Sequence, residues 1–476
     1  MNKSQNDIIY LIFGFSDFIS KLRFRCTSKY NNLLEIYDFY YIEEKYLKLL
    51  NDKILLNYPF IKYLNAKNNP NITNIDYMKK LIKLNASGGL CGINNEGIKN
   101  LNNITKLNAS YNKNITNINH MNNLIELHAS DSCGIDNEGI KNLRNLKILN
   151  ANYNDKISNI NHMNNLIELH AKGKCGICNS GIKNLNNIKI LDSSFNEKIT
   201  NVNHMAETLI ELDASVNSGI NDFGIKKLKN LRKLNSCNNN KITDINHIGE
   251  TLIELNASGE SCGINDNGIK QLNNLINLDA SGNKQITNIN HMAETLIKLY
   301  VVGKSCGIND DGIKNLKNLQ ILGSRDNIKI TNINHMADTL IELYAWRTHC
   351  GINDLGIQKL KNLKKLYVES NDKITNINHL GDTLIELSAG GNSGINDYGI
   401  TKLNNLVELN AYNNKKITNI NHMIKLVSLN ASGENCGIDD NGIKELKKLK
   451  KLYSDNNTKI TSGFKNNTVA VNYIII

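Results

Sequence analysis

The sequence predicts an α/β solenoid: a curved parallel β-sheet of about 19 stacked repeats, with short helices or turns on the outer side and a small helical region ahead of it. Two observations carry that reading. From residue 61 onward one phrase recurs, as in Leu124-Ile-Glu-Leu127-His-Ala129 and Leu146-Lys-Ile-Leu149-Asn-Ala151, which fits L-x-x-L-x-A. Its second leucine stands at 64, 84, 107, 127, 149, 169, 191, 212, 234, 255, 278, 299, 322, 343, 366, 387, 409, 429 and 452, giving 19 units at a mean step of about 21.6 residues. After the phrase, units alternate between two kinds of continuation. A unit this short cannot bury its own apolar edge, so the leucines, isoleucines and small residues of successive units must stack into one shared core.

The expected division is a helical region over 1–50, repeats with their N-terminal cap over 51–461, and a cap strand over 462–476. The segment Tyr46 to Phe60 is placed to close the first turn and Val469 to Ile476 the last, because a stack needs both ends covered. The first kind of unit continues through asparagine into an isoleucine ladder, Asn154-Asp-Lys-Ile157-Ser-Asn-Ile160-Asn-His-Met163. Its asparagine recurs at Asn69, Asn112, Asn154, Asn196, Asn239, Asn283, Asn327, Asn371, Asn414 and Asn457. A buried amide at that corner can satisfy backbone groups that a tight bend leaves unpaired. The second kind runs Cys133-Gly-Ile-Asp-Asn-Glu-Gly139-Ile-Lys-Asn-Leu143, where Gly-Ile-Lys-x-Leu is expected to open a short helix. Period and phrase resemble leucine-rich repeats, L-x-x-L-x-L-x-x-[NC], with Ala or Ser usually replacing the third leucine. The first kind resembles internalin-type repeats and the second the cysteine-containing repeats of F-box proteins.

Composition narrows the function classes. With 40% hydrophobic and 21% charged residues and a mean hydropathy of -0.37, the chain reads as globular rather than disordered or membrane-spanning. The apolar run Ile8 to Phe15 is short, is soon followed by Asp17 and lacks a small-residue cleavage pattern. The expectation is therefore a cytoplasmic protein without signal peptide or transmembrane segment. The net charge of +11 is spread along the chain rather than gathered into a basic run, which disfavours nucleic acid and favours a protein partner for a chain expected to be monomeric.

Repetition also creates columns that imitate sites. Cysteine recurs at Cys91, Cys133, Cys175, Cys262, Cys306, Cys350 and Cys436, too far apart in sequence for a local zinc-ligand spacing. These read as buried free thiols in a reducing compartment. Histidine recurs in the phrase Ile-Asn-His or its Val-Asn-His variant, at His120, His162, His204, His247, His291, His335, His379 and His422, and each ring is expected to hydrogen-bond backbone. The sequence contains no H-E-x-x-H, phosphate loop or G-x-G-x-x-G. The reading is of a non-catalytic protein with no cofactor and no metal.

Side chains alternate along a strand, so the leucines point inward and the residue after the second leucine faces the open, concave side. Most units place Asn, Asp, Ser or Gly there, and these positions are expected to be free for binding. Later units differ: Tyr300, Arg325, Tyr344, Trp346, Arg347 and Tyr367 fall on four consecutive strands and include the chain's only tryptophan. Interface hot spots are enriched in Trp, Tyr and Arg, which makes these six the expected partner contact. A weaker row, Glu126, Glu168, Glu211 and Glu254 with His128 and His170, follows the repeat and reads as a solvated face.

Residues 1 to 50 stand outside the repeat. Asp7-Ile-Ile-Tyr-Leu-Ile-Phe13-Gly-Phe15, then Leu22-Arg-Phe-Arg-Cys26-Thr-Ser-Lys-Tyr30, suggest short amphipathic helices. The segment resembles an F-box, although Ser4 and Gln5 stand where that family has Leu-Pro. The whole chain resembles the F-box and leucine-rich-repeat proteins of giant amoebal viruses such as mimivirus. The resemblance implies that Ile8, Ile9, Ile12, Phe13 and Leu22 contact a host Skp-family adaptor. It further implies, in the host cytoplasm, a concave face presenting a target protein to a cullin-type ubiquitin ligase. The alternative is a stand-alone binding or decoy scaffold.

Overall fold

The computed structural model describes residues 38–461, together with Ser20. The candidate adaptor residues Ile8, Ile9, Ile12, Phe13 and Leu22, and the expected cap strand over 462–476, lie outside the described residues. The chain divides into two compact units, Met1–Asn230 and Leu231–Ile476. The first holds nine described strands, from Asp38–Phe39 to Glu211–Asp213, and the second eleven, from Lys233–Asn235 to Lys451–Tyr453. Within each unit every pairing between successive strands is parallel. All 19 leucines of the repeated phrase are buried central residues of three-residue strands. The register sets leucine opposite leucine, as Leu343 against Leu366, so the apolar column is continuous within a unit.

One strand has no leucine. Asp38–Phe39 pairs with Tyr63–Asn65, and Phe39, 1% exposed, stands opposite Leu64 with its ring 5.1 Å from that of Tyr58. The sheet thus takes in residues before position 51. The short helices Glu44–Leu47 and Asp52–Leu55 come next, and the carbonyls of Leu47 and Leu50 accept the Asn69 amide at 2.7 and 2.9 Å.

That amide bond recurs along the chain. Asn371 is fully buried; its Nδ2 donates to the carbonyls of Ala345 and Ile352 at 2.7 and 3.2 Å, and its Oδ1 accepts the Lys373 amide at 2.9 Å. Both carbonyls belong to the preceding turn, so one side chain ties two turns together. Asn112, Asn154, Asn196, Asn283, Asn327, Asn414 and Asn457 repeat the donor pattern.

The second kind of unit corrects one expectation. Its helix is Asn137–Ile140, so Gly139-Ile140 closes the helix rather than opening it. The start is set two residues earlier, where the Asp136 carboxylate accepts the Gly139 amide at 2.9 Å and caps the turn. Gly139 is required for another reason: a Cβ there would lie 1.9 Å from the Thr116 carbonyl oxygen of the preceding turn. In the first kind of unit, Met-Ala-Glu-Thr-Leu carries one residue more than Met-Asn-Asn-Leu, and the longer version winds a 3-10 turn such as Asn203–Met205.

Replacing Asn371 with Ala is expected to destabilise the second unit by about 2–4 kcal/mol, because two buried carbonyls and one amide lose their partner together. A urea titration followed by circular dichroism reads this as an earlier transition, whereas replacing the exposed neighbour Asp372 with Asn leaves the midpoint in place.

Candidate interaction surface

The residues flanking each central leucine lie on the sheet face opposite the core, and one physical detail decides which of them are available. Where the residue after the leucine is Asn or Asp, its side-chain oxygen turns back to accept the amide two residues on, as Asn256 from Ser258 at 3.0 Å and Asp279 from Ser281 at 2.9 Å. Asn410 and Asn430 do the same. These side chains end their strands with one oxygen already committed to the turn, so they reach less freely from the face than the sequence expectation assumes. Five consecutive strands of the second unit, those ending at Tyr300, Gly323, Tyr344, Tyr367 and Ser388, lack this acceptor.

The six residues expected to make the partner contact stand at or just past these strand ends, in two clusters. In the first, Tyr344 and Tyr367 are register partners whose rings stack with centroids 4.5 Å apart and planes 6° from parallel. Glu342 accepts the Tyr344 hydroxyl, and Glu386 accepts that of Tyr367 at 2.7 Å. Burial, then these carboxylates, push both phenols well above the usual tyrosine range. Tyr300 leans across its neighbouring strand, where a Cβ on Gly323 would come within 2.5 Å of its ring. The missing side chain at Gly323 is what lets the ring lie toward Tyr344. In the second cluster the guanidinium carbons of Arg325 and Arg347 lie 4.7 and 5.5 Å from the Trp346 ring, a cation–π pair on one indole.

Two features of this cluster run against local backbone and polar preferences. Arg347 adopts φ of 80°, at the turn position where Gly88, Gly259, Gly303 and Gly433 have φ between 96° and 100°. A long side chain there is strained by about 1–3 kcal/mol. Arg325 Nε is buried without a hydrogen-bond partner among the described residues. The carboxylates Glu342 and Glu386 were not singled out from sequence, although they are two residues before Tyr344 and Ser388 and so share their face.

The other candidates resolve into scaffold. In the first unit Glu126 bonds Lys106 and His128 at 2.6 and 3.0 Å, and Glu168 bonds His170 at 2.7 Å, so this row is an ion-paired face. Burial pushes the Asp192 carboxyl up, but His170, Ser194 and Lys172 outweigh it and hold it down at about 2. The histidine column bonds backbone: His120, His335 and His379 place Nε2 at 2.9 to 3.0 Å from the Ile98, Ile313 and Ile357 carbonyls of the preceding turn. The column cysteines are buried, and burial pushes the Cys91, Cys133, Cys175 and Cys306 thiols up to about 11. Two stretches, Gly259-Glu-Ser261-Cys-Gly263 and Gly303-Lys-Ser305-Cys-Gly307, match the letters of a serine nucleophile turn. They lie in repeat turns, and the Ser305 hydroxyl donates to Glu260 at 2.6 Å rather than to a histidine. Among the described residues no helix is long and apolar enough to cross a membrane, and no group of three His, Cys, Asp or Glu could hold a metal ion.

Comparison with solved structures matches this geometry. TLR13 in its complex with ssRNA13 aligns at 18% identity over 85% of this chain and 72% of that one, with a TM-score of 0.52. The chain has the leucine-rich-repeat fold. An internalin of Listeria monocytogenes aligns at 19% identity over 82% of this chain and 85% of its own, with a TM-score of 0.29. A leucine-rich-repeat protein of Leptospira interrogans does so at 21% identity over 87% and 90%, with a TM-score of 0.33. No protein-family model matches the chain. No curated protein matches it either.

The two sets of histidines titrate in opposite senses. Asp192 first, and Glu168 with it, raise the His170 value, so its contribution is full below about pH 6.5 and is lost as pH rises through the raised value. Burial lowers that of His335, whose contribution falls as pH drops below about 6.5. Replacing His170 with Gln should therefore cost more stability at about pH 5.5 than at about pH 8.5, and replacing His335 with Gln the reverse. Denaturant midpoints at the two pH values check both signs.

Proposed function

We propose that this protein is a non-catalytic leucine-rich-repeat scaffold that binds a protein partner through Tyr300, Arg325, Tyr344, Trp346, Arg347 and Tyr367. The observation that carries the reading is the break in the strand-ending asparagine pattern. Across five consecutive strands the residues that would terminate each strand locally are replaced by Tyr, Gly or Ser, and an arginine occupies a glycine conformation beside the only tryptophan. Departures from local consistency gathered in one place are a signature of binding rather than of folding. Stacked tyrosines and a tryptophan between two guanidinium groups supply rigid contact area at small entropic cost.

TLR13 forms a complex with single-stranded RNA, and aromatic platforms with arginines suit nucleic acid as well. Here Glu342, Glu369, Glu386 and Glu408 share the region with the aromatics, and carboxylates repel a phosphate backbone. A protein partner is the better fit. The finer reading rests on the N-terminal resemblance: an F-box-type adaptor in which Ile8, Ile9, Ile12, Phe13 and Leu22 contact a Skp-family subunit and the scaffold presents its target for ubiquitin transfer. Viral origin and residence in the host cytoplasm belong to that same finer reading.

Replacing Tyr344 and Trp346 together with Ser should weaken a captured partner by about 30-fold or more, with the circular-dichroism spectrum unchanged. Undiminished binding by the folded variant removes these residues from the interface. For the adaptor role, the full chain should co-purify with a Skp-family subunit and lose it when Ile12 and Phe13 are replaced by Asp; a chain that brings down no such subunit is a stand-alone binder.

A further inference from the structure

Beside the stacked tyrosines the same face opens into a groove of about 470 Å³, walled by Tyr367, Tyr412 and Tyr453 and carrying Glu369, Glu386 and Glu408. Its charge is unbalanced from within. Glu386 and Glu408 stand directly opposite each other on neighbouring strands, an arrangement that like charges destabilise. Glu386 is engaged by the Tyr367 hydroxyl at 2.7 Å and by Lys365 at 3.4 Å. Glu369 and Glu408 have no ion-pair partner among the described residues. Glu369 is partly buried, accepts the Ser388 hydroxyl, and is pushed above the usual carboxylate range by burial. Ser388, 4% exposed, in turn accepts the Asn410 amide at 3.0 Å, so the carboxylate is held by a fixed polar chain rather than by a floppy side chain.

Glu408 is exposed and Glu369 half-buried, so the cost of lacking a cation falls on Glu369 and on the repulsion between Glu386 and Glu408, and tyrosine faces attract cations. A metal ion does not suit the groove, since no three acidic groups come together closely enough to hold one among the described residues. A cation carried on a side chain can reach carboxylates that are spread along the strands. We propose that this groove receives an arginine or lysine side chain of the protein partner. The inference rests on the reading of this face as a protein-binding surface and adds its polarity. Arg325 and Arg347 lie toward one end, and Glu369, Glu386 and Glu408 toward the other. A partner must then present opposite charges in the reverse order across strands spaced about 4.8 Å apart.

The test uses the full chain and a fluorescein-labelled, end-capped tetra-arginine peptide, read by anisotropy. The chain's net charge of +11 repels such a peptide in general, so attraction reports a local site. The expected result is saturable binding, weakened about tenfold or more in a Glu369→Gln, Glu408→Gln variant. These are near-isosteric changes that keep the Ser388 contact, and circular dichroism checks the fold. A tetra-glutamate peptide should not bind. Failure of the folded wild-type chain to bind tetra-arginine overturns the proposal, and so does equal binding by the double variant. Displacement of the peptide by calcium or magnesium at low millimolar concentration also overturns it, by showing an inorganic cation site. The Trp346→Ser variant, whose substituted residue does not line the groove, should keep tetra-arginine binding within about threefold while weakening the captured partner, which separates failure of the groove from failure of the aromatic surface.

Discussion

In each turn of the first kind, one asparagine amide ties its own turn to the one before it, and the stack depends on that link. A turn of about 21 residues has three residues in a strand and almost no interior of its own. Its bends leave carbonyls and amides that neither a helix nor a sheet can pair, and burying them unpaired would outweigh the gain from one leucine. Asn371 takes two such carbonyls and one amide at once. Only with these groups satisfied can the leucines, isoleucines and column cysteines be packed as an apolar interior, which is why the thiols are driven toward their protonated, unreactive form.

The same constraint explains what the open face is able to do. Most strands there end on an Asn or Asp that closes its own turn, which commits one side-chain oxygen and fixes where the rest of the group points. Binding surface appears where that closure is given up. The backbone at those strands keeps the same neighbour-to-neighbour hydrogen bonds as the rest, as when the Ala345 amide donates to the Tyr367 carbonyl at 2.8 Å and the Ala257 amide to the Asp279 carbonyl at 2.8 Å. The aromatic side chains are released to stack on one another, and Gly323 and Arg347 take on the steric and conformational consequences. Rigidity comes from the scaffold and chemistry from a short interruption of it, the usual division in repeat proteins.

Electrostatics on this face is arranged strand by strand. Where lysine and glutamate precede the leucines of adjacent strands they pair across them, as Lys106 finds Glu126, Lys233 finds Glu254 and Lys365 finds Glu386. Where two glutamates succeed each other, at Glu386 and Glu408, a carboxylate is left over. Surface pairs of this kind contribute little to stability. Their arrangement matters more for which partner is admitted and in which direction it lies.

Much of this was legible in the sequence. The recurring L-x-x-L-x-A located all 19 leucine-centred strands, and the asparagine column announced its hydrogen-bonding role, because a repeat displays the same local solution many times over. The strand at Asp38–Phe39 was not legible, since a single phenylalanine in the leucine position carries no phrase around it. Nor was the closing rather than opening role of Gly139-Ile140, which depends on the cap at Asp136. Residue order alone sets the period, the inward column and the place where aromatic residues gather. It does not reveal that the Asn and Asp of the open face are occupied, that Tyr344 stacks on Tyr367, or that both arginines lie on Trp346. The tyrosine stack and the Arg325 contact depend on distances between residues some 20 positions apart, which only the register of neighbouring strands sets, while the Asn and Asp closures and the Arg347 contact depend on the conformation of the turn.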